Sequence, residues 1–220
     1  MGLFSASQMA QEWDRAKDTG GEPSLAEMTA KAIAILGQRK DGYVLMVEGG
    51  RIDHAHHGNN AARALSDAVA LDDAVKTALD MTNPNETLII VTADHSHGLT
   101  ISGYPRRGNP ILGPVIGSNG KPALGRDGKG YTTLNYATGP GAAKDEARRD
   151  PLKEDTLAPN YRQSALVSQG AASHAGEDVA VRASGPQAHL LTGTIEQNTI
   201  FHVMAYALGK RLEAEPRREK

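Results

Sequence analysis

A chain of 220 residues, 39% hydrophobic and 23% charged, is long enough to bury a core and fits one domain with an appendage. Its formal charge of -2, with both signs interspersed up to the tail at residues 210–220, leaves no electrostatic footprint for nucleic acid. The lack of cysteine excludes disulfides and thiolate ligands, so any metal has to be held by His, Asp and Glu, a donor set suited to zinc or magnesium.

In chain order, Ser24 and Glu27 form a capping box ahead of Met28, Ala32, Ile33 and Leu36 at helical spacing, and Gly37 is a stop. A helix over 25–36 is expected. Tyr43-Val44-Leu45-Met46-Val47, bounded by Asp41-Gly42 and Glu48-Gly49-Gly50, has the pattern of a central strand covered on both faces. Between residues 60 and 80, Leu65 and Val69, then Leu71, Val75 and Leu79, recur at fours, giving an amphipathic helix that ends before Asn83-Pro84. Residues 87–92 are the next strand, so a right-handed crossover between parallel strands is expected. From about residue 105 to 172 the chain turns rich in Gly, Pro, Asn and charge, with short apolar groups such as Tyr131 to Tyr136. This stretch reads as a surface insert with a little strand and much irregular backbone. Asp178 to Ala183 restores a strand pattern, and Thr194 with Gln197 caps a last helix through Ile200, Val203, Met204 and Leu208 to Gly209, followed by a frayed tail.

Ligands of such sheets gather beyond the carboxyl ends of the strands, where both clusters of chemistry-bearing residues fall. The first runs from Glu48 through Asp53, His54, His56 and His57; the second is Asp94-His95-Ser96-His97. Asp53 and His57 are four apart, so on a helix starting after Gly50 they share one face and can chelate a zinc ion. A catalytic zinc takes three protein ligands and leaves one position open, so a third donor is needed. His189 and His202 lie in apolar company and read as packing residues, which leaves His174, just ahead of a strand, as the free candidate. Asp94 and His95 can both turn to one ion at an irregular strand end. Glu48 stands apart as a hard oxygen donor suited to magnesium. His97 reads as a residue orienting a ligating carboxylate or imidazole by hydrogen bond, and His56 as an exposed residue of the helix start. Gly49-Gly50 alone is too little for a phosphate-cradling loop.

Three segments carry a specific resemblance: Val47 to His57 (VEGGRIDHAHH), Val91 to His97 (VTADHSH) and His174 to Val181 (HAGEDVAV). Together with Gly2 to Ser5, Tyr161 to Ser164 and Gly185 to His189, they resemble the C-terminal half of alkaline phosphatase, over about residues 2–209. The resemblance implies an α/β fold: part of a three-layer α/β/α sandwich with a mainly parallel sheet. Residues 1–104 would form the core portion with the metal-site strand ends and 105–172 a crown-like insert; residues 173–209 would return to the core, leaving 210–220 as a flexible tail. It implies a phosphate monoester hydrolase working by in-line displacement through a phosphoserine, with two zinc ions about 4 Å apart and one magnesium ion. Asp53, His57 and His174 would bind the first zinc, Asp94 and His95 the second, and Glu48 the magnesium. His54 matches a position that tunes the metal and phosphate environment, His97 one that supports the ligands, and Tyr104 one that crosses a homodimer interface.

The same resemblance implies what this chain lacks. The nucleophilic serine, an aspartate shared by the second zinc and magnesium, a hydroxyl ligand of magnesium and the phosphate-clamping arginine belong to the family's N-terminal half. Neither Ser5, Ser7 nor Ser66 has the family's Asp-Ser-Ala setting. One complete zinc ligand set and no catalytic residue are therefore expected, with phosphate monoesters and inorganic phosphate as ligands of the intact enzyme and a missing N-terminal half as a partner. The family points to a periplasmic or extracellular location. In this chain no apolar run approaches the roughly 20 residues that cross a bilayer, and Met1-Gly2-Leu3-Phe4 lacks the layout of a signal peptide. A non-enzymatic metal-binding module and a superfamily phosphodiesterase are the competing readings. The Gly176-Glu177-Asp178-Val179 segment and the crown-like insert argue against the second.

Overall fold

The structure is a computed structural model that describes residues 2–143 and 147–209, so the expected tail at 210–220 lies outside the described residues. The helices are α1 (Glu12–Arg15), α2 (Leu25–Leu36), α3 (Arg51–His57), α4 (Ala61–Met81) and α5 (Thr199–Ala207). The strands are β1 (Ile89–Val91), β2 (Leu99–Ile101), β3 (Leu134–Gly139), β4 (Ala165–Ser168) and β5 (Arg182–Ser184).

Helix α2 begins where its capping box places it. The Glu27 amide donates to Ser24 Oγ at 3.2 Å and the Ser24 amide donates to Glu27 Oε2 at 2.7 Å, so two otherwise orphaned N–H groups are satisfied. Helix α4 starts with the Asn60 side chain accepting from the Arg63 amide at 3.0 Å. Its inward face differs from the expected stripe, because Val69 and Leu79 are exposed while Ala61, Ala62, Ala64 and Ala74 are buried. Small side chains let α2 and α3 pack closely on this helix.

One buried polar group interrupts that face. Asp67 accepts from the Glu12 amide at 3.1 Å through Oδ1, whereas its buried Oδ2 has no partner. Burial pushes its carboxyl above the usual carboxylate range, outweighing the Glu12 hydrogen bond and the positive Arg51 and Arg63. The folded state thus holds this proton to higher pH than the unfolded chain, and stability contributed below the unfolded pKa is lost as pH rises through the folded one. Asp67→Asn is expected to raise neutral-pH stability by on the order of 1 kcal/mol. In urea titrations the gain should vanish in acid.

The sheets depart from the mainly parallel arrangement expected. Strand β1 pairs antiparallel with β5, aligning Ile89 with Ser184, and β3 lies between antiparallel β2 and parallel β4. The parallel crossover expected to join 43–47 to 87–92 is absent among the described residues, since residues 43–47 form no strand. Their exposure alternates, with Val44 68% and Met46 83% exposed and Tyr43, Leu45 and Val47 half-buried. The period of two is that of an extended chain, but a strand needs a hydrogen-bonded neighbour and the described residues supply none. The last strand starts at Arg182 instead of Asp178. The last helix starts at Thr199, with Asn198 ahead of it making no side-chain cap, in place of the Thr194 start. His189 and His202, expected to be packing residues, are both exposed.

Strands β3 and β4, both inside the 105–172 stretch, share a sheet with β2 from outside it. Leu134 and Tyr136 of β3 pack with Ala61 of α4, flanked by Leu65, Leu99, Leu112 and Ala165. Asn59 locks this stretch to the helices. Fully buried and at φ 53°, it donates from Nδ2 to the Thr138 carbonyl at 3.0 Å. Its Oδ1 accepts from the Gly141 amide at 2.8 Å and its carbonyl from the Gln163 amide at 2.9 Å. Asn tolerates the left-handed backbone better than most residues because its short side chain bonds locally.

Candidate metal centre

Helix α3 presents Asp53 and His57 one turn apart on one face, with His57 Nε2 3.3 Å from Asp53 Oδ2. The chain around Ala172 orients the second residue from the other side. His57 Nδ1 lies 2.6 Å from the Ala172 carbonyl, and the Ala172 amide donates to the His57 carbonyl at 2.9 Å. A carbonyl only accepts, so Nδ1 carries the proton and Nε2 turns its lone pair into the cluster.

Two residues beyond Ala172 stands His174. Its backbone is tied to the loop between β1 and β2, where the Ala175 amide donates to the Ser96 carbonyl at 2.9 Å and Ser96 Oγ donates to the Glu177 carboxylate. His174 Nε2 lies 3.2 Å from Asp53 Oδ1 and 3.3 Å from His57 Nε2. From the same loop, His97 Nε2 approaches Asp53 Oδ1 to 3.0 Å. One ligand atom from each of Asp53, His57, His97 and His174 lies within 4.8 Å of all the others.

These spacings fit a tetrahedral ion. Zinc bonds of about 2.0–2.1 Å place neighbouring donors about 3.3 Å apart, close to the His57–His174 separation and to the approach of each nitrogen to one Asp53 oxygen, Oδ2 for His57 and Oδ1 for His174. Imidazole nitrogens facing one another beside a carboxylate form a nitrogen and oxygen donor set of the kind zinc takes. Burial raises the Asp53 carboxyl's pKa, but the electrostatic pull of the neighbouring His57, His97 and His174 and the His97 hydrogen bond outweigh this and hold it below the usual range. His97 is pushed down by burial and by His57, against the pull of Asp53.

Other expected residues sit differently. His95 Nδ1 faces the Ser96 carbonyl at 3.1 Å, and its Nε2 is turned toward two carboxylates, 4.0 Å from Asp53 Oδ1 and 3.4 Å from Asp94 Oδ2. Its ring stacks on His174 with centroids 3.6 Å apart. The Asp94 side chain is 83% exposed. Glu48 is exposed, as is His54, whose Nδ1 meets Arg51 Nη1 at 3.0 Å. Tyr104 is 97% exposed.

His97, expected to orient a ligating group by hydrogen bond, stands 3.0 Å from Asp53 Oδ1, as close as His174. Sequence reasoning missed two features here. His56, expected to be exposed, is half-buried with Nδ1 2.7 Å from the Tyr136 hydroxyl. Burial and neighbouring His97 push its pKa down to about 4, and burial raises that of Tyr136. The orienting Ala172 carbonyl has no sequence signature, because every residue carries one.

Comparison with known proteins matches residues 1–210 to the alkaline phosphatase family model. The chain is 46% identical over 208 residues to the tissue-nonspecific alkaline phosphatase of Gallus gallus, covering 94% of this chain and 39% of that protein. It is 44% identical to alkaline phosphatase 4 of Drosophila melanogaster, covering 94% of this chain and 36% of the relative. Among solved structures, a mutant of TAB5 alkaline phosphatase with Mg bound in its M3 site superposes with a TM-score of 0.55 at 25% identity. That match covers 86% of this chain and 42% of the other. The chain thus spans about two fifths of the length of the curated relatives it matches. With the family model covering nearly its whole length, the chain belongs to the alkaline phosphatase family.

Proposed function

We propose that this chain carries the metal-binding portion of a phosphate monoester hydrolase, one that in its intact form uses two zinc ions and one magnesium ion and acts through a phosphoserine. Asp53, His57 and His174 hold the first zinc, Asp94 and His95 contribute to the second, and Glu48 contributes to magnesium. The observation that carries this reading is the convergence of the Asp53, His57 and His174 donor atoms at 3.2–3.3 Å, with His57 fixed by Ala172 as an Nε2 donor. Bound zinc supplies a water acidified to near neutrality and positive charge for phosphate oxygens. His97 steadies Asp53 through its 3.0 Å contact, keeping one carboxylate oxygen engaged while the other faces His57.

By itself the chain offers no serine in an Asp-Ser-Ala setting, so binding without turnover is its expected behaviour. Purified chain titrated with zinc against a chromophoric chelator should take up one ion tightly, and with zinc and magnesium present it should not hydrolyse a simple aryl phosphate above background. Lack of zinc uptake overturns the ligand assignment, and robust turnover overturns the inactivity. Tyr104 as part of a homodimer interface and an extracytoplasmic location belong to the same proposal, supported by family membership.

A further inference from the structure

Besides the Ala172 carbonyl, a second group from outside the helices reaches α3. Tyr136 comes from β3, eighty residues along the chain, and its ring is buried in the core formed with Ala61 and Leu134. Its hydroxyl lies 2.7 Å from His56 Nδ1 and has no other partner among the described residues. If Nδ1 were the donor, the phenol proton would stay buried without an acceptor, at a cost of about 1–3 kcal/mol. The phenol therefore donates, which leaves the ring proton of His56 on Nε2. The His56 ring faces that of His97, with centroids 5.3 Å apart and planes inclined by 34°. His97 in turn stands edge-on to His57 at 4.5 Å and holds Asp53 Oδ1 at 3.0 Å. A rigid core element is thus connected to the cluster through one hydrogen bond and one ring contact.

We infer that Tyr136 is a positioning residue of the metal centre, fixing through its hydroxyl the ring of His56 against which His97 is set, and so the carboxylate of Asp53. This rests on the zinc reading given above. Removing the hydroxyl leaves the packed ring but releases His56 to turn, and with it the ring that orients Asp53. Loss of a group that orients a ligand costs about 10–100-fold in metal affinity.

The test uses the full chain and zinc alone, with Tyr136→Phe, His56→Phe and the double variant. Tyr136→Phe should lower zinc affinity about tenfold, and the double variant should bind no more weakly than the weaker single variant, because both break one link. Long-range proton–nitrogen NMR of the metal-free chain should show His56 in the Nε2–H tautomer, and Tyr136→Phe should mix the tautomers, which loss of packing alone would not do. Circular dichroism melts accompany each variant, and His56→Phe, which keeps the buried phenol, decides the link if Tyr136→Phe does not fold. Zinc affinity unchanged in Tyr136→Phe, losses that multiply in the double variant, or mixed His56 tautomers in the unsubstituted chain would each overturn the proposal. Failure of the unsubstituted chain to bind zinc sinks the metal reading itself, whereas normal binding that ignores Tyr136→Phe sinks only the positioning role.

Discussion

Asp53→Ala is expected to lower the zinc affinity of the chain at least about a hundredfold, since a structural zinc site gains roughly 10–16 kcal/mol from four ligands and each donor carries a large share. Asp53 touches every other member of the cluster: Oδ2 faces His57, while Oδ1 faces His97 and His174. Among the described residues no other carboxylate joins the cluster, and the Asp94 side chain is 83% exposed beside His95. Asp94→Ala should therefore leave the affinity nearly unchanged in this chain. Competition against a chromophoric chelator measures both variants. Equal losses would mean that the ion sits beside His95 instead, and an unchanged affinity in Asp53→Ala would remove it from the cluster altogether.

Gly141→Ala is expected to destabilise the fold by about 3 kcal/mol or more, because a methyl group there has nowhere to go. Its Cβ would stand 1.8 Å from the Gln163 carbonyl oxygen and 3.1 Å from Asn59 Oδ1, so relief requires moving backbone rather than the end of a flexible side chain. The same movement would break the Gly141–Asn59 and Gln163–Asn59 hydrogen bonds, which join Gly141 and Gln163 to the turn between α3 and α4. Gly170→Ala is the control, since its added methyl meets nothing within 4 Å. Urea unfolding midpoints should separate the two variants clearly. Equal stabilities would mean that the Asn59 lock yields without cost.

How much of this could be read in the sequence follows the range of each signal. Helix α2 was legible at both ends because Ser24, Glu27 and Gly37 act within one turn of themselves. The last helix was misplaced by the same kind of cue. Thr194 and Gln197 form a plausible capping pair, yet residues 197–198 make a turn, with the Thr199 amide donating to the Glu196 carbonyl at 2.9 Å. The Tyr43–Val47 run shows its apolar character in the sequence but neither its open face nor its lack of a partner among the described residues, since pairing is a property of two segments. For the cluster, the spacing of Asp53 and His57 reported a shared helix face. His174 stands out as the third donor once the other histidines are placed, but its approach depends on the long-range tie between Ser96 and Ala175. His56 was misjudged because its burial is decided by Tyr136, beyond any local pattern.

The contact between His57 and His174 spans 117 positions of sequence. An ion held there would act as a crosslink closing a loop of that size, and closing a loop of about a hundred residues withdraws close to 5 kcal/mol of entropy from the unfolded chain. Metal at this place would therefore govern the cooperativity of the molecule as well as its chemistry. Helix α3 and the 172–175 segment would come apart together or not at all, and a chelator would act on the chain as a reductant acts on a disulfide.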